Sequence, residues 1–550
     1  MKRNAKIMAE FNLIEQPWIP CIGPDGKSIT YGIRETLLKA HELREICDDS
    51  PLVTVALHRL LLAILYRVEG GPCDFRSWKR LYARGLFVAK NLSEYLNRWH
   101  EQFWLVADSH PFFQLEELET KKPAPVTRLV HECASGNNAT LFDHCVDEEE
   151  TDWGAEQSAR SLVACQAFAL GFGKSGSAKI GGKEETLPYS ADAIALRGMN
   201  IWLQGSTLFD TLMANLVPTQ DNSLPPWEMD EPHKYRDRVR GKDRVAIASR
   251  GIVDRLTWQS RLIRLLPNDG TFSRMYFTQG RSADKSPGDP MKVYRTSREE
   301  GVSPLSLSSS KAAWRDAHSI LTIPVAGSNE RRPECFNLVA RAQSNGTLPP
   351  NRLFLAHVVG LASAPNKPGK FLLWRHERMP VVAALLADFN LIERLGKLLQ
   401  NAEEAGVELN NRTRRIAKLY LAPDAESPGG RKADPEDIAK VADSIDPRPA
   451  YWARLERHFF MLLENLPDDW DAGREEWMPD DRQAATNLWC SQVKNEAERA
   501  LEESIHSLGT TARAIAAVAR VRTDFGDRDL DPRPQEAATK KPKAKGGKRK

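Results

Sequence analysis

Between Leu52 and Val68 apolar residues fall on every side of a helical wheel, interrupted by His58, Arg59 and Arg67. A helix that is hydrophobic all round is a buried one. Ser50 suits the cap and Pro51 the first turn, so the helix is predicted to start there. Before it, Phe11–Ile22 reads as a strand. A Gly23-Pro-Asp-Gly26 turn and a second strand at Ser28–Tyr31 predict a hairpin. Helical spacing covers about Phe75–Ala89 and Leu92–Trp104. Residues 105–375 mix short strands, glycine turns and long loops, and Leu353–Ser363 with Phe371–Arg375 read as paired strands. Past Arg375 the period becomes helical. Leu385, Phe389, Ile392, Leu395 and Leu399 recur at spacings of three and four, as do Trp452, Leu455, Phe459 and Leu462. A charged helix is predicted over about Asp481–Leu508, with Gly509 ending it and Thr510–Thr523 forming the last helix.

The fold class this predicts is α+β. A mixed α/β N-terminal domain (1–375) precedes a C-terminal four-helix bundle (376–530) and a disordered basic tail (531–550). At 550 residues the chain is too long for one core. With 41% hydrophobic and 27% charged residues it is not a disordered protein. No run reaches the ~18 uncharged apolar residues of a membrane span, and Met1–Gln16 lacks the apolar core of a signal peptide. Cys21, Cys47, Cys73, Cys133, Cys145, Cys165, Cys335 and Cys490 form no C-x-x-C pair, which fits reduced thiols in the cytoplasm. Charge adds something only by region. The last twenty residues carry eight basic and two acidic side chains, which leaves the body at net −3. Contact with nucleic acid would therefore run through local patches and the tail.

Three segments carry candidate chemistry. Gly171–Lys183 holds five glycines and three lysines in thirteen residues. Glycine lets backbone N–H groups converge on a phosphate or a groove, and lysine supplies charge. It is not a P-loop, since Phe168 stands where that motif needs glycine. The plain alternative is a flexible surface loop. The second segment, Ala134–His144, could set Phe142 at the end of an extended loop, or tuck it into the core. The third is the connection Ala364–Lys370, whose Pro368-Gly369 turn flanked by Lys367 and Lys370 would make a stiff basic tip, or simply an exposed hairpin. His131, Cys133, His144 and Cys145 lie close together but match no familiar zinc spacing. Asp147–Glu150 with Asp152 reads as a solvated acidic loop. No signature identifies an active site.

Six segments in order resemble one family. They are Phe11-Asn-Leu-Ile-Glu-Gln-Pro-Trp-Ile-Pro20, Leu57-His-Arg-Leu-Leu-Leu-Ala63, His110-Pro-Phe-Phe-Gln114, Leu256-Thr-Trp-Gln-Ser-Arg261, Asp289-Pro-Met-Lys-Val-Tyr-Arg295 and Ala313-Trp-Arg-Asp316. The chain resembles the large-subunit (CasA) family of type I-E CRISPR Cascade complexes. The resemblance spans most of 1–530 and excludes the tail.

The resemblance implies a subunit without catalysis or cofactor. It implies recognition of the protospacer-adjacent motif (PAM) in double-stranded target DNA, the start of strand separation, and help in recruiting a helicase-nuclease. Its other implied partners are the crRNA-containing Cascade backbone with the small-subunit and foot subunits, and no membrane. By the same resemblance Gly171, Gly173, Lys174, Ser175, Gly176 and Lys179 belong to a glycine loop on the PAM minor groove. Asn137, Asn138, Thr140, Leu141 and Phe142 form a PAM-side loop. Asn366, Lys367, Pro368, Gly369 and Lys370 form a wedge hairpin, without the glutamine common at the family's tip. Lys292, or next Lys285, is the lysine finger. Some relatives carry a cysteine-paired zinc insertion before that finger. No cysteine lies between Cys165 and Cys335, so no such metal is expected. Arg412, Arg414, Arg415 and Lys418 share one bundle helix and could hold DNA backbone or a partner subunit, or form a solvated face. The competing classes are a metal-dependent nuclease built on His131, Cys133 and His144 or on the acidic loop Asp147–Glu150 with Asp152, and a purely structural scaffold.

Overall fold

Pro51–Val68 forms the expected helix, with Leu57, Leu61, Ile64 and Leu65 fully enclosed. It is long and apolar enough to cross a membrane, yet 89% of it is buried inside the fold. It packs against Ala155–Phe168, a second buried helix. Among its own polar residues, His58 Nδ1 donates to the Thr54 carbonyl at 2.8 Å. Burial pulls the His58 pKa down to about 4, against that bond, so the ring is neutral.

This computed structural model describes residues 11–68, 71–131, 151–171, 176–229, 246–297, 301–364 and 367–525. The chain forms two compact units, Met1–Ala387 and Asp388–Lys550. The division falls later than Arg375, where the change of period places it. The reason is that Arg375 lies inside the strand Lys367–Val382, and the short helix Ala383–Ala387 still belongs to the first unit.

Small antiparallel sheets surround the helical core of the first unit. The N-terminal hairpin pairs Ile19–Ile22 with Ser28–Tyr31 through the predicted turn, while Phe11–Trp18 adds an isolated bridge instead of more strand. Two other sheets matter for function. One places Gly176–Ile180 between Leu118–Thr120 and Lys183–Leu187. The other places Leu353–Ala364 between Asn200–Gln204 and Lys367–Val382. The helical stretch expected over Phe75–Ala89 is shorter, Phe75–Tyr82, because Gly85 takes a positive φ of 69° soon after its end. The next helix is Ala89–Arg98, followed by one 3₁₀ turn.

The second unit contains four long helices, Phe389–Leu421, Arg448–Asn465, Ala484–Ile505 and Ala512–Phe525, and a short one, Pro435–Ser444. The first touches all the others. Its inner line is Ile392, Leu395, Leu399, Ala402 and Leu409, while Phe389 is exposed. Gly406 is needed there: a Cβ would stand 2.8 Å from the Trp452 ring. Tyr451 donates its hydroxyl to the Ala402 carbonyl at 2.9 Å, which fixes the same crossing. The tail 531–550 lies outside the described residues.

Candidate nucleic-acid interface

The stem of the glycine segment is pinned at successive residues. His131 Nε2 donates to the Phe168 carbonyl at 2.6 Å. Arg261 Nη2 donates to the Leu170 carbonyl at 2.6 Å and to the Ala191 carbonyl at 2.7 Å. The Gly171 N–H donates to Asp192 Oδ1 at 2.9 Å. Arg261 is itself held by Gln166, whose amide bonds both its N–H and its carbonyl. Burial lowers the Arg261 pKa to about 10, which still leaves it charged at neutral pH. Gly171 must be glycine: a Cβ would sit 2.9 Å from Asp192 N, Asp192 Oδ1 and the Ser190 carbonyl oxygen.

The run Gly171–Lys183 is not one loop. Phe172, Gly173, Lys174 and Ser175 lie outside the described residues. From Gly176 the chain is a hairpin, Gly176–Ile180 with Lys183–Leu187. Gly181 and Gly182 turn it with φ of 58° and 75°, the pair of positive values a two-residue turn demands. Lys179 projects from the middle strand, opposite Glu119 on one side and Glu184 on the other. Its charge is therefore balanced across the sheet, which argues against a free DNA-gripping lysine.

The segment expected to act as a wedge is the end of a long hairpin. Its ladder runs from Leu353↔Val382 to Ala364↔Lys367. The sequence pattern starts the return strand at Phe371, with Pro368-Gly369 as the turn. Instead Pro368, Gly369 and Lys370 lie within it, opposite the single step from Ser363 to Ala364. A residue without an N–H beside one without a side chain is the chemistry of a bulge. Asn366 lies outside the described residues. Lower down the hairpin is braced. Arg375 Nη1 donates to the Ser308 and Lys311 carbonyls, and Glu377 accepts from the Ala313 N–H. His376 Nε2 and His357 Nδ1 are 2.9 Å apart, His357 Nε2 meets Gln204 Oε1, and Gln204 Nε2 donates to Glu45. Burial, then the Arg378 charge, holds His376 down at about 4 and lowers His357 as well, so both rings are neutral.

Lys292, first choice for the finger, is an interior residue. It is 3% exposed and donates Nζ to the Ile194 carbonyl at 2.8 Å. Burial lowers its pKa to about 8, partly offset by Asp289. It stands in a buried network in which Arg59 Nη1 lies 2.9 Å from Asp289 and Arg59 Nη2 donates to the Arg255 carbonyl. Lys285, the second choice, is exposed. Its loop is anchored at both ends. Before it, Arg281 makes a two-pronged pair with Asp254 at 2.7 and 3.0 Å and stacks on Trp258 at 3.6 Å. After it comes Asp289. Only the Arg59 end is hinted at by sequence, as a charge in an apolar helix that must find a partner.

The depressed Lys292 pKa has a testable sign. Between about 8 and the ordinary 10.5 the unfolded chain holds a proton that the folded chain lacks. This group therefore makes stability rise with pH across that window. Against Lys292→Met, wild type gains stability from pH 8 to 10 in urea titrations of the full chain. Equal pH dependence of the two proteins refutes the assignment.

The remaining expectations separate. Asn137, Asn138, Thr140, Leu141 and Phe142 lie outside the described residues, as do Cys133, His144 and Cys145. His131 is engaged with Phe168, and no group of three metal-ligating side chains occurs among the described residues. On the bundle, Arg412 pairs with Glu408, and Arg415 grips Glu426 with two bonds of 3.0 Å. Lys418 and Arg520 also approach Glu426. Arg414 is exposed. Glu408 and Glu426 answer two of these five positive charges, so the face keeps a positive excess with its arginines partly held in place by ion pairs.

The fold carries a pinned glycine stem, an exposed lysine on an anchored loop and a long braced hairpin. The profile of the family described as CRISPR-associated protein Cse1 matches residues 12–500. CasA/Cse1 of Thermus thermophilus is 31% identical over 529 residues, covering 94% of this chain and 97% of that protein. The crystal structure of Thermus thermophilus CasA superposes with a TM-score of 0.73 at 28% identity, covering 94% of this chain and 98% of that one. Thermobifida fusca Cse1 gives 0.72 at 22% identity, covering 94% and 96%, a likeness of fold. The chain belongs to the CRISPR-associated Cse1 (CasA) family. It is a large subunit of the type I-E Cascade surveillance complex.

Proposed function

We propose that this subunit senses the PAM in double-stranded DNA and starts strand separation without breaking a covalent bond. The reading rests on one observation above others: the stem before residues 172–175 is pinned at Phe168, Leu170 and Gly171, at a position that admits no side chain. A loop so held can press main chain into a groove. Minor-groove edges tell A·T from G·C but not A·T from T·A or G·C from C·G, so several PAM sequences are accepted. Lys285, on its anchored loop, takes the finger role that the interior Lys292 cannot fill. The hairpin ending near Ala364 and Lys367 enters beneath the PAM. There new protein–DNA interactions, made as the duplex opens, offset unstacking, which costs a few kcal/mol per step. Pairing to the guide then supplies sequence specificity. The subunit also helps recruit the helicase-nuclease.

The test compares complexes with and without this subunit on duplexes differing only in PAM. Preference for the PAM is expected to vanish without it. Equal discrimination by both complexes would make the subunit a scaffold. In the same assay, replacing 364–370 by a short neutral turn is expected to slow R-loop opening, and an unchanged rate removes the wedge role.

A further inference from the structure

Helix Phe75–Tyr82 has two unlike faces. Phe75, Trp78 and Tyr82 form its inner face. Phe75 and Trp78 stack at 5.5 Å, Trp78 and Tyr82 at 5.1 Å, and Trp78 Nε1 donates to the Met213 carbonyl at 2.9 Å. Arg76, Lys79 and Arg80 stand on the outer face, at the i, i+3, i+4 spacing that puts side chains side by side. All three are exposed. The helix itself contains no carboxylate; the one beside it, Asp74, caps through Ser77 at 2.7 Å and offsets part of the Arg76 and Arg80 charge, which leaves the row net positive. This concentration of positive charge stands out in a body whose net charge is −3.

We infer that Arg76, Lys79 and Arg80 form a docking surface for the phosphate backbone of duplex DNA. None of these residues is among those assigned to the PAM. The chemistry selects the partner in three steps. No apolar side chain interrupts the row from Arg76 to Arg80, so it lacks the buried anchor around which protein interfaces form. The aromatic rings of this helix pack inward, and Phe75 and Trp78 are buried, so they offer no stacking platform for unpaired bases. What remains is a row of cations on a rigid element, matched to a duplex that carries one charge per ~1.7 Å of axis. Such a surface holds DNA in place and reads no sequence.

The test uses the assembled complex carrying Arg76→Gln, Lys79→Gln and Arg80→Gln together, changes that keep helix propensity and remove charge. Affinity is measured against salt on duplexes with and without a PAM. The log–log slope is expected to become shallower by about 2 to 3, at ~0.9 per phosphate contact, equally on both duplexes. The ratio between the duplexes stays the same. An unchanged slope overturns the inference. So does a loss confined to single-stranded RNA or DNA, or a loss of subunit assembly with DNA affinity intact. If the wild-type complex ignores the PAM while the triple variant still flattens the slope, this surface stands and the PAM reading falls.

Discussion

Asp289→Ala unfolds the first unit at markedly lower denaturant than wild type. The carboxylate is 3% exposed and sits among Arg59, Lys292 and Arg255. Burial pushes its pKa up, and the three cations more than reverse this, so it is ionised in the fold. Removing it leaves the Arg59 guanidinium buried with its charge unanswered. Breaking a buried pair from one side costs about 3–5 kcal/mol, a large part of a domain's stability. Asp289→Asn keeps the shape and loses the charge, so it falls in the same direction. Arg59→Met together with Asp289→Leu removes both charges and recovers much of the loss. Urea unfolding of the full chain, followed by tryptophan fluorescence, reads the series. Wild-type stability in Asp289→Ala would show that the pair carries no weight.

Gly171→Val abolishes preference for PAM-bearing duplexes while the subunit still folds and joins the complex. The added side chain must displace backbone at Ser190 and Asp192, not a mobile side-chain end. The shift costs about 1–3 kcal/mol. Confined to the stem, it misaims the loop by more than a groove contact tolerates. Losing contacts worth a similar amount weakens binding roughly ten- to a hundredfold. Lys285→Ala, which leaves the stem intact, produces a smaller loss on the same duplexes. Equilibrium binding by the assembled complex decides between outcomes. Full PAM preference in Gly171→Val would mean that this stem does not aim a reading loop.

The sequence discloses elements better than it discloses their partners. The apolar wheel of Pro51–Val68 and the turn at Gly23–Gly26 are legible because period and turn chemistry are local. The bundle is legible for the same reason, except at Phe389, which fits the period yet faces solvent at a helix start. Gly181-Gly182 passes for more of a loop, although a two-glycine pair between short alternating strands is a hairpin signal. Pro368-Gly369 misleads the other way, because a turn and a bulge share the same residues. Lys292 misleads for a different reason. Its neighbours in sequence are mixed, and only the remote pairing of Arg59 with Asp289 and the carbonyl of Ile194 make it an interior residue. Residues so far apart in sequence leave no mark of contact in a single chain.

The hairpin has a mechanical consequence. Asn200–Gln204 supports the central strand only over Leu355–Val359, so from Gly360 outward the two strands pair with each other alone. Gly360, Leu361 and Ala362 are still buried, so packing makes a braced mount up to Ala362 and only the end beyond it is a cantilever. Load placed on its end is carried into the mount, whereas exchanges of residues at the end leave the mount's packing untouched. Residues at that end can therefore change without renegotiating the stability of the subunit that carries it.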